Sequence, residues 1–122
     1  MLRTIAKENP ELRRTLIELR RAAKAHEAPI WAAVAEELAR PRHQYSPLNV
    51  GQLERLAGDH ATTFVVPGKL LAQGRVTKPL SVAAFHYSEV ARAKIQKAGG
   101  TTVSILELVK THPDGSGVRI LA

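Results

Sequence analysis

The first forty residues repeat apolar side chains at helical spacing, a pattern that predicts two helices joined by a short turn. Asn9-Pro10 supplies a cap and a first helical position, and we expect the first helix to reach His26. Ala28-Pro29 then separates it from the second helix, so the pair forms an αα-hairpin. The predicted inward positions are Leu12, Leu16, Leu19 and Ala23 in the first helix, with Ile30, Trp31, Val34, Ala35 and Leu38 in the second.

The first helix also carries a basic stripe opposite its apolar one. Glu18 lies at helical spacing from Arg14 and Arg21, so ion pairs along the helix can neutralise part of this charge. The stripe is therefore either a solvated face or a surface that faces RNA, and the sequence leaves both interpretations open. The basic stripe consists of Arg13, Arg14, Arg20, Arg21 and Lys24.

The segment from Arg40 to Pro47 contains two prolines, two arginines, a histidine and a tyrosine, which predicts an extended, exposed loop. Cations interleaved with an aromatic ring suit looped RNA, because phosphates meet the charge and bases stack on the ring. The alternative is a plain linker between helices. Asn49 then caps a short helix that ends at Gly58, with Leu53 and Leu56 inward and Arg55 outward.

The pattern changes to short apolar runs in the central stretch. Residues 62–66 are β-branched or aromatic and predict a strand, which Pro67-Gly68 is expected to end in a tight turn. Residues 80–85 are too short an apolar run for a helix and predict a second, buried strand. Ser88 caps a helix that reaches about Ala98 and stops at Gly99-Gly100. The order of elements is strand, turn, strand, helix.

The last twenty residues continue the alternation of strand and helix. Residues 101–103 predict a strand, and Ser104 is expected to cap a helix from Ile105 to about His112, with Glu107 at capping-box spacing. Residues 113–117 form a predicted turn, and residues 118–121 a final strand.

Composition adds a strong positive charge to this α/β pattern. The 122 residues are one domain's length, and 18 Lys and Arg against 11 Asp and Glu give a net charge of +7. Such a balance favours a polyanionic partner. Cysteine is absent, which excludes disulfides and thiolate metal sites. The sequence offers no run of the ~20 apolar residues that a membrane span needs and no secretory signal, so we expect a cytoplasmic protein without a membrane partner.

Catalytic and cofactor motifs are missing from the sequence. The histidines show no paired metal-ligand spacing, and neither a phosphate-binding GxxxxGK[ST] loop nor a GxSxG nucleophile elbow occurs. Asp59-His60 is the nearest approach to an acid and base pair, without an accompanying nucleophile. We therefore expect no enzyme activity, metal, cofactor or small-molecule substrate. The isolated histidines are His26, His43, His60, His86 and His112.

Several of these pieces occur in an order that resembles the L-eighteen-e family of large-subunit ribosomal proteins, archaeal and eukaryotic relatives of bacterial L-fifteen. The Val-Val-Pro-Gly-Lys run together with the later Ala-Gly-Gly stop is the specific part, and the likeness covers nearly the whole chain. The matching residues are Asn9-Pro10, Ile30-Trp31, Val34-Ala35, Arg40-Pro41-Arg42, Val50-Gly51, Glu54-Arg55, residues 65–69, Leu71, Gly74, residues 82–84, Ser88, Ala91, Lys94-Ile95 and residues 98–100.

The resemblance implies an N-terminal helical hairpin followed by an irregular superhelix of short β-β-α units, bound to rRNA without catalysis. We expect one ribosomal-protein domain over 1–122, made of a hairpin at 1–42, a basic loop and short helix at 43–60, and an α/β core at 61–122. The expected partners are large-subunit rRNA and neighbouring large-subunit ribosomal proteins, which implies a location on cytoplasmic ribosomes.

Eleven residues are predicted to contact the RNA, with arginine and lysine on phosphates and the tyrosine ring on a base. The alternative function is a DNA-binding regulator that uses the N-terminal helix pair as a helix-turn-helix, although the second helix lacks the Arg, Asn or Gln of a groove reader. The predicted RNA-binding residues are Arg40, Arg42, His43, Tyr45, Arg55, Lys69, Arg75, Lys78, Arg92, Lys94 and Lys97.

Overall fold

A computed structural model gives the fold and describes residues 10–40, 47–58 and 63–121. Within these residues the chain forms five helices and five strands, and the mixed α/β class with an N-terminal helix pair is confirmed. The elements are α1 (Pro10–Ala25), α2 (Pro29–Ala39), β1 (Leu48–Asn49), α3 (Val50–Ala57), β2 (Thr63–Leu71), β3 (Ser81–Tyr87), α4 (Glu89–Lys97), β4 (Thr101–Ser104), α5 (Ile105–Thr111) and β5 (Val118–Ile120).

The described residues belong to two compact units. The first holds residues 10–40 and 106–116, and the second holds residues 47–58, 63–105 and 117–121. The boundaries predicted near residues 42 and 60 fall outside the described residues, and the single-domain organisation stays a prediction.

In the first unit, α1 and α2 pack against each other as the predicted hairpin. Trp31 is fully buried, and its indole Nε1 donates a hydrogen bond of 2.8 Å to the carbonyl oxygen of Pro113. Ala22 is buried where Ala23 was predicted, because the core stripe turns slightly from the expected direction. All five cations of the basic stripe are exposed as predicted, and Arg21 pairs with Glu18 at 3.2 Å.

The second unit is built on one parallel sheet, an arrangement that the sequence analysis did not specify. β2 pairs with β3 on one side and with β1 and β5 at opposite ends of its other side, and β4 extends the sheet beyond β3. The helices α3 and α4 supply most of the rest of the core of this unit, together with Leu80 and Leu121, which lie outside the helices and strands. That core consists of Leu48, Val50, Leu53, Ala57, Phe64, Val66, Leu70, Leu80, Val82, Ala84, Ala91, Ile95 and Leu121.

The predicted turn at Pro67-Gly68 is wrong, since β2 runs through both residues to Leu71. Val66 pairs with Ala84 and Lys69 pairs with His86, so between these two pairs β2 contains one more residue than β3. The extra residue is a bulge, which accommodates a proline because one position loses its ladder hydrogen bond there. β2 is consequently long enough to reach the start of α3.

The short helix α3 begins after Asn49 and ends at Gly58 as predicted, but Leu56 does not point inward. Val50, Leu53 and Ala57 are fully buried, whereas Leu56 is 50% exposed. Leu56 lies about 60° beyond Leu53 around the helix, outside the stripe that the three buried residues share. The cap of α4 is as predicted, since the Ser88 hydroxyl accepts from the Ala91 amide at 3.1 Å.

Candidate nucleic-acid interface

The loop of residues 72–80 joins β2 to β3 and is attached to the start of α3. The Gln73 amide donates to Asn49 Oδ1 at 3.1 Å, and the Gln73 carbonyl accepts from the Gly51 amide at 3.0 Å. Gly51 and Gly74 lie so close that a Cβ atom added to Gly51 would be 3.0 Å from the Gly74 Cα. Both backbone polar groups of Gln73 are therefore satisfied by α3 and its cap.

Glu54 holds the second half of the same loop. Its Oε1 accepts from the Thr77 amide at 2.6 Å, from the Thr77 hydroxyl at 2.9 Å and from the Lys78 amide at 3.2 Å. These donors, with the Thr77 amide first among them, stabilise the carboxylate and lower the pKa of Glu54, and the charge of Lys78 adds to the effect. The Glu54 carboxylate therefore holds the loop through Thr77 and Lys78.

Lys94 of α4 attaches the loop from the other side. Its ammonium donates to the carbonyl oxygen of Ala72 at 2.6 Å and to that of Gly74 at 2.8 Å. Since an ammonium has three donors, these two bonds leave one N–H for another acceptor. The 72–80 loop is therefore bonded to α3 through a carboxylate and to α4 through an ammonium.

Two cavities adjoin this loop, and both are lined by Gly74 and Arg75. The polar cavity has a volume of about 530 Å³ and the basic cavity about 340 Å³. The polar cavity is lined by Asn49, Gly51, Gln52, Glu54, Arg55, Gln73, Gly74 and Arg75, and the basic cavity by Gly74, Arg75, Val76, Thr77, Lys94, Lys97 and Ala98.

Three cations on the cavity walls, Arg55, Arg75 and Lys97, define what we call the basic surface. All three are exposed, and none forms a salt bridge in the described part of the chain. The one carboxylate among the lining residues, that of Glu54, already accepts three hydrogen bonds. The basic surface is thus a set of uncompensated charges around a braced loop, which suits an anionic ligand.

The structure brings together four of the predicted RNA-binding residues, namely the three of the basic surface and Lys94. Lys78 belongs to the same loop, and its ammonium donates to the Gly58 carbonyl oxygen. Arg92 lies about 200° around α4 from Lys94, and its guanidinium is 5.1 Å from the centre of the Tyr87 ring. Lys69 is exposed on β2 beside the bulge.

Of the other four predicted residues, the structure describes Arg40 alone. Arg40 belongs to the first unit, where its guanidinium pairs with Glu37 at 3.2 Å. Arg42, His43 and Tyr45 lie outside the described residues. Their predicted contacts with RNA remain predictions.

Residues that brace the loop were missed as site residues, although some of them carried a signal. Gly51, Glu54 and Gly74 all belong to the pieces that matched the ribosomal family. Asn49 was interpreted only as a helix cap, and it does form a capping box with Gln52, yet its side-chain oxygen also accepts from Gln73. Contacts between residues more than twenty positions apart have no periodicity that could predict them.

The DNA-binding alternative gains nothing from α2. This helix buries Trp31, Val34, Ala35 and Leu38, and its only charged residues are Glu36 and Glu37.

No group of three or more His, Asp or Glu suited to a metal ion occurs among residues 10–40, 47–58 and 63–121. Over the same residues, every helix is too short or too polar to cross a membrane.

The fold and the basic surface define a mixed α/β protein with a cationic face, and comparison with known proteins identifies its family. A family model described as ribosomal proteins 50S-L15 and 50S-L18e with their 60S counterpart matches residues 30–103. The large ribosomal subunit protein eL18 of Methanopyrus kandleri is 45% identical over 117 residues, which cover 93% of this chain and 92% of that protein. The eL18 proteins of Archaeoglobus fulgidus and Pyrobaculum aerophilum are 44% and 47% identical and cover 94% and 93% of this chain.

This chain therefore belongs to the L15 and L18e family of large-subunit ribosomal proteins. The predicted resemblance is confirmed.

Proposed function

We propose that the protein is a structural, non-enzymatic constituent of the large ribosomal subunit that binds and stabilises folded rRNA. Its membership of a ribosomal family supports the setting, and the basic surface supports the contact. On this proposal it works on the cytoplasmic ribosome beside neighbouring large-subunit proteins. The observation that carries the proposal is the unpaired charge of Arg55, Arg75 and Lys97 around a loop braced by Glu54 and Lys94.

The physical mechanism is neutralisation of phosphates by cations that are already in place. Arg75 stands on a loop whose backbone is bonded to two helices, so little backbone conformational entropy remains to be lost when RNA binds. Arginine can also contact a phosphate with two parallel hydrogen bonds. The outcome is a fixed spacing of positive charge, which selects RNA segments that bring their phosphates to that spacing.

The test measures binding of the purified chain to a large-subunit rRNA transcript over a range of salt concentrations. Replacing Arg55, Arg75 and Lys97 together by Ala is expected to weaken binding. It should also reduce the magnitude of the slope of log K against log salt concentration by about 2 to 3. The control replaces two exposed cations outside the basic surface, the basic stripe and the predicted contacts, Lys110 and Arg119. An equal loss of affinity per removed charge in the two variants would mean that only total charge matters and would overturn the assignment of this surface.

Association with the ribosome is tested separately by sedimenting a cell extract at moderate salt. The chain is expected in the large-subunit fractions. Recovery at the top of the gradient would contradict the proposed function as a whole.

A further inference from the structure

The basic cavity separates apolar groups from charged ones. Val76 packs against the hydrophobic core of the second unit, and Ala98 is half-buried at the end of α4, so together they form an apolar wall. Arg75 and Lys97 are exposed at the same cavity. A ligand that matches both sets of residues has an apolar part joined to an anionic part.

The other two polar side chains of the cavity, those of Thr77 and Lys94, already form hydrogen bonds. The Thr77 amide and hydroxyl both donate to Glu54, and the ammonium of Lys94 is held by two loop carbonyls. Lys94 therefore offers the cavity its alkyl chain and one remaining N–H. No carboxylate lines the cavity among the described residues, so nothing there repels an anion.

We propose that the basic cavity binds a single unpaired nucleotide of RNA, with its base against Val76 and Ala98 and its phosphate on Arg75 and Lys97. This inference rests on the proposed function. An unpaired base is required because the bases of an A-form helix are stacked on one another, so their faces are not free to cover an apolar wall. The volume of about 340 Å³ lies within the range of roughly 300–1,000 Å³ that small-ligand sites occupy.

Charge and shape together favour a nucleotide over an acidic peptide. A carboxylate would meet Arg75 and Lys97 but would leave the wall of Val76 and Ala98 in contact with water. A base covers that wall, and its ring plane needs no hydrogen-bonding partner to do so. The hydrogen bonds of Glu54 and Lys94 to the loop hold the backbone of Arg75 and Val76 in position before the ligand binds.

The first test titrates the isotope-labelled full chain with adenosine 5′-monophosphate and, separately, with ribose 5-phosphate, observed by NMR. Adenosine 5′-monophosphate is expected to bind about fivefold more tightly, the lower end of what one stacked base contributes. It should also shift the methyl resonances of Val76 and Ala98, and leave those of Ile17, an exposed residue of α1, unchanged. Equal affinities, unmoved Val76 and Ala98 methyls, or no binding of either compound would overturn the proposal.

The second test uses variants that address the two halves of the ligand. Val76→Asp places a carboxylate on the base wall and is expected to abolish the preference for adenosine 5′-monophosphate, whereas Ile17→Asp is the control at an exposed position outside the cavity. Arg75→Ala is expected to weaken both compounds by about 5- to 10-fold. If Val76→Asp does not fold, the methyl shifts of the unmodified chain and the Arg75→Ala affinities decide the question.

Failure of this inference is distinguishable from failure of the proposed function. A chain that binds the rRNA transcript with a steep salt dependence, yet does not prefer adenosine 5′-monophosphate, has the basic surface but no nucleotide site. A chain that fails to bind the transcript at all contradicts the proposed function.

Discussion

Gly51 at the start of α3 and Gly74 in the 72–80 loop lie backbone against backbone. A Cβ atom on Gly74 would lie 2.5 Å from the Cα of Gly51 and 2.8 Å from its amide nitrogen. Gly74 also has a φ angle of +103°, which side-chain-bearing residues rarely adopt. This contact is what lets the loop approach α3 closely enough for the bonds of Gln73 and Glu54 to form.

Gly74→Ala is expected to lower the free energy of unfolding by about 2–4 kcal/mol, because a strained φ angle and a backbone clash act together. Gly117→Ala is the matched control, since Gly117 has a φ of +75° but nothing within 4 Å of an added Cβ. The control is expected to lose only about 1 kcal/mol. Urea unfolding measures both, and equal losses would show that the close approach to Gly51 does not matter.

Glu54→Ala is expected to weaken binding to the rRNA transcript although it raises the net charge by one. The variant removes the carboxylate that holds Thr77 and Lys78, so the loop that presents Arg75 loses its fixed position. It should also lower the free energy of unfolding by about 1 kcal/mol. Glu36→Ala, an exposed change in α2 of the same charge, should not weaken RNA binding. Tighter binding by Glu54→Ala would mean that charge outweighs loop position.

Acid is expected to remove the contribution of Glu54 to stability. Its pKa is lower in the folded protein than in the unfolded chain, so the stabilisation is complete above the ordinary glutamate pKa and disappears as the pH falls through the folded pKa. Urea unfolding of the unmodified chain and of Glu54→Ala, compared from about pH 7 to about pH 2, should therefore show a difference that shrinks with acid. A constant difference would contradict a role for the ionised carboxylate.

Lys94→Met and Lys97→Met are expected to separate bracing from RNA contact. Lys94→Met keeps an unbranched side chain but loses the bonds to Ala72 and Gly74, so it should cost about 1–2 kcal/mol of stability as well as RNA affinity. Lys97 is exposed without a salt bridge, and its replacement should reduce RNA affinity with a stability change within about 0.5 kcal/mol. The melting curve and the salt-dependent binding assay give the two readouts. Identical behaviour would refute the division of roles.

Trp31→Phe is expected to destabilise the first unit by about 2–3 kcal/mol. The variant removes the bond to the Pro113 carbonyl and leaves a void in a fully buried position. Ile17→Ala, at a position that is 44% exposed, is the control and should change stability by less than about 1 kcal/mol. Circular dichroism follows both variants, and a Trp31→Phe variant as stable as the unmodified chain would contradict this account.

Local sequence signals predicted most of the elements because their causes are local. The apolar spacing of α1 and α2, the proline at the start of α2 and the serine cap of α4 each act within one or two helical turns. Pro67-Gly68 misled the prediction because a proline-glycine pair also fits a bulge when a partner strand supplies the remaining bonds. Leu56 was misplaced because a two-turn helix offers too few positions to fix the direction of its buried stripe.

The basic surface could be predicted only in part. The sequence predicts Arg55, Arg75, Lys94 and Lys97 as cations that contact RNA, but it treats the four as equivalent. The structure gives them different roles, since the Lys94 ammonium donates to two loop carbonyls whereas the other three side chains are exposed. The sequence does not predict Glu54 as a site residue, because the role of an acidic residue in a site for a polyanion depends on its three hydrogen-bond donors.

By itself, the sequence determined the family, the α/β class and the positive charge, all of which follow from composition, short-range spacing and an ordered set of motifs. Tertiary structure alone decided that β2 continues through Pro67, that Gly51 meets Gly74, and that the 72–80 loop is braced by one acid and one base. The reason is physical: these contacts join residues about twenty positions apart, and their geometry depends on how the sheet and helices pack rather than on any local preference.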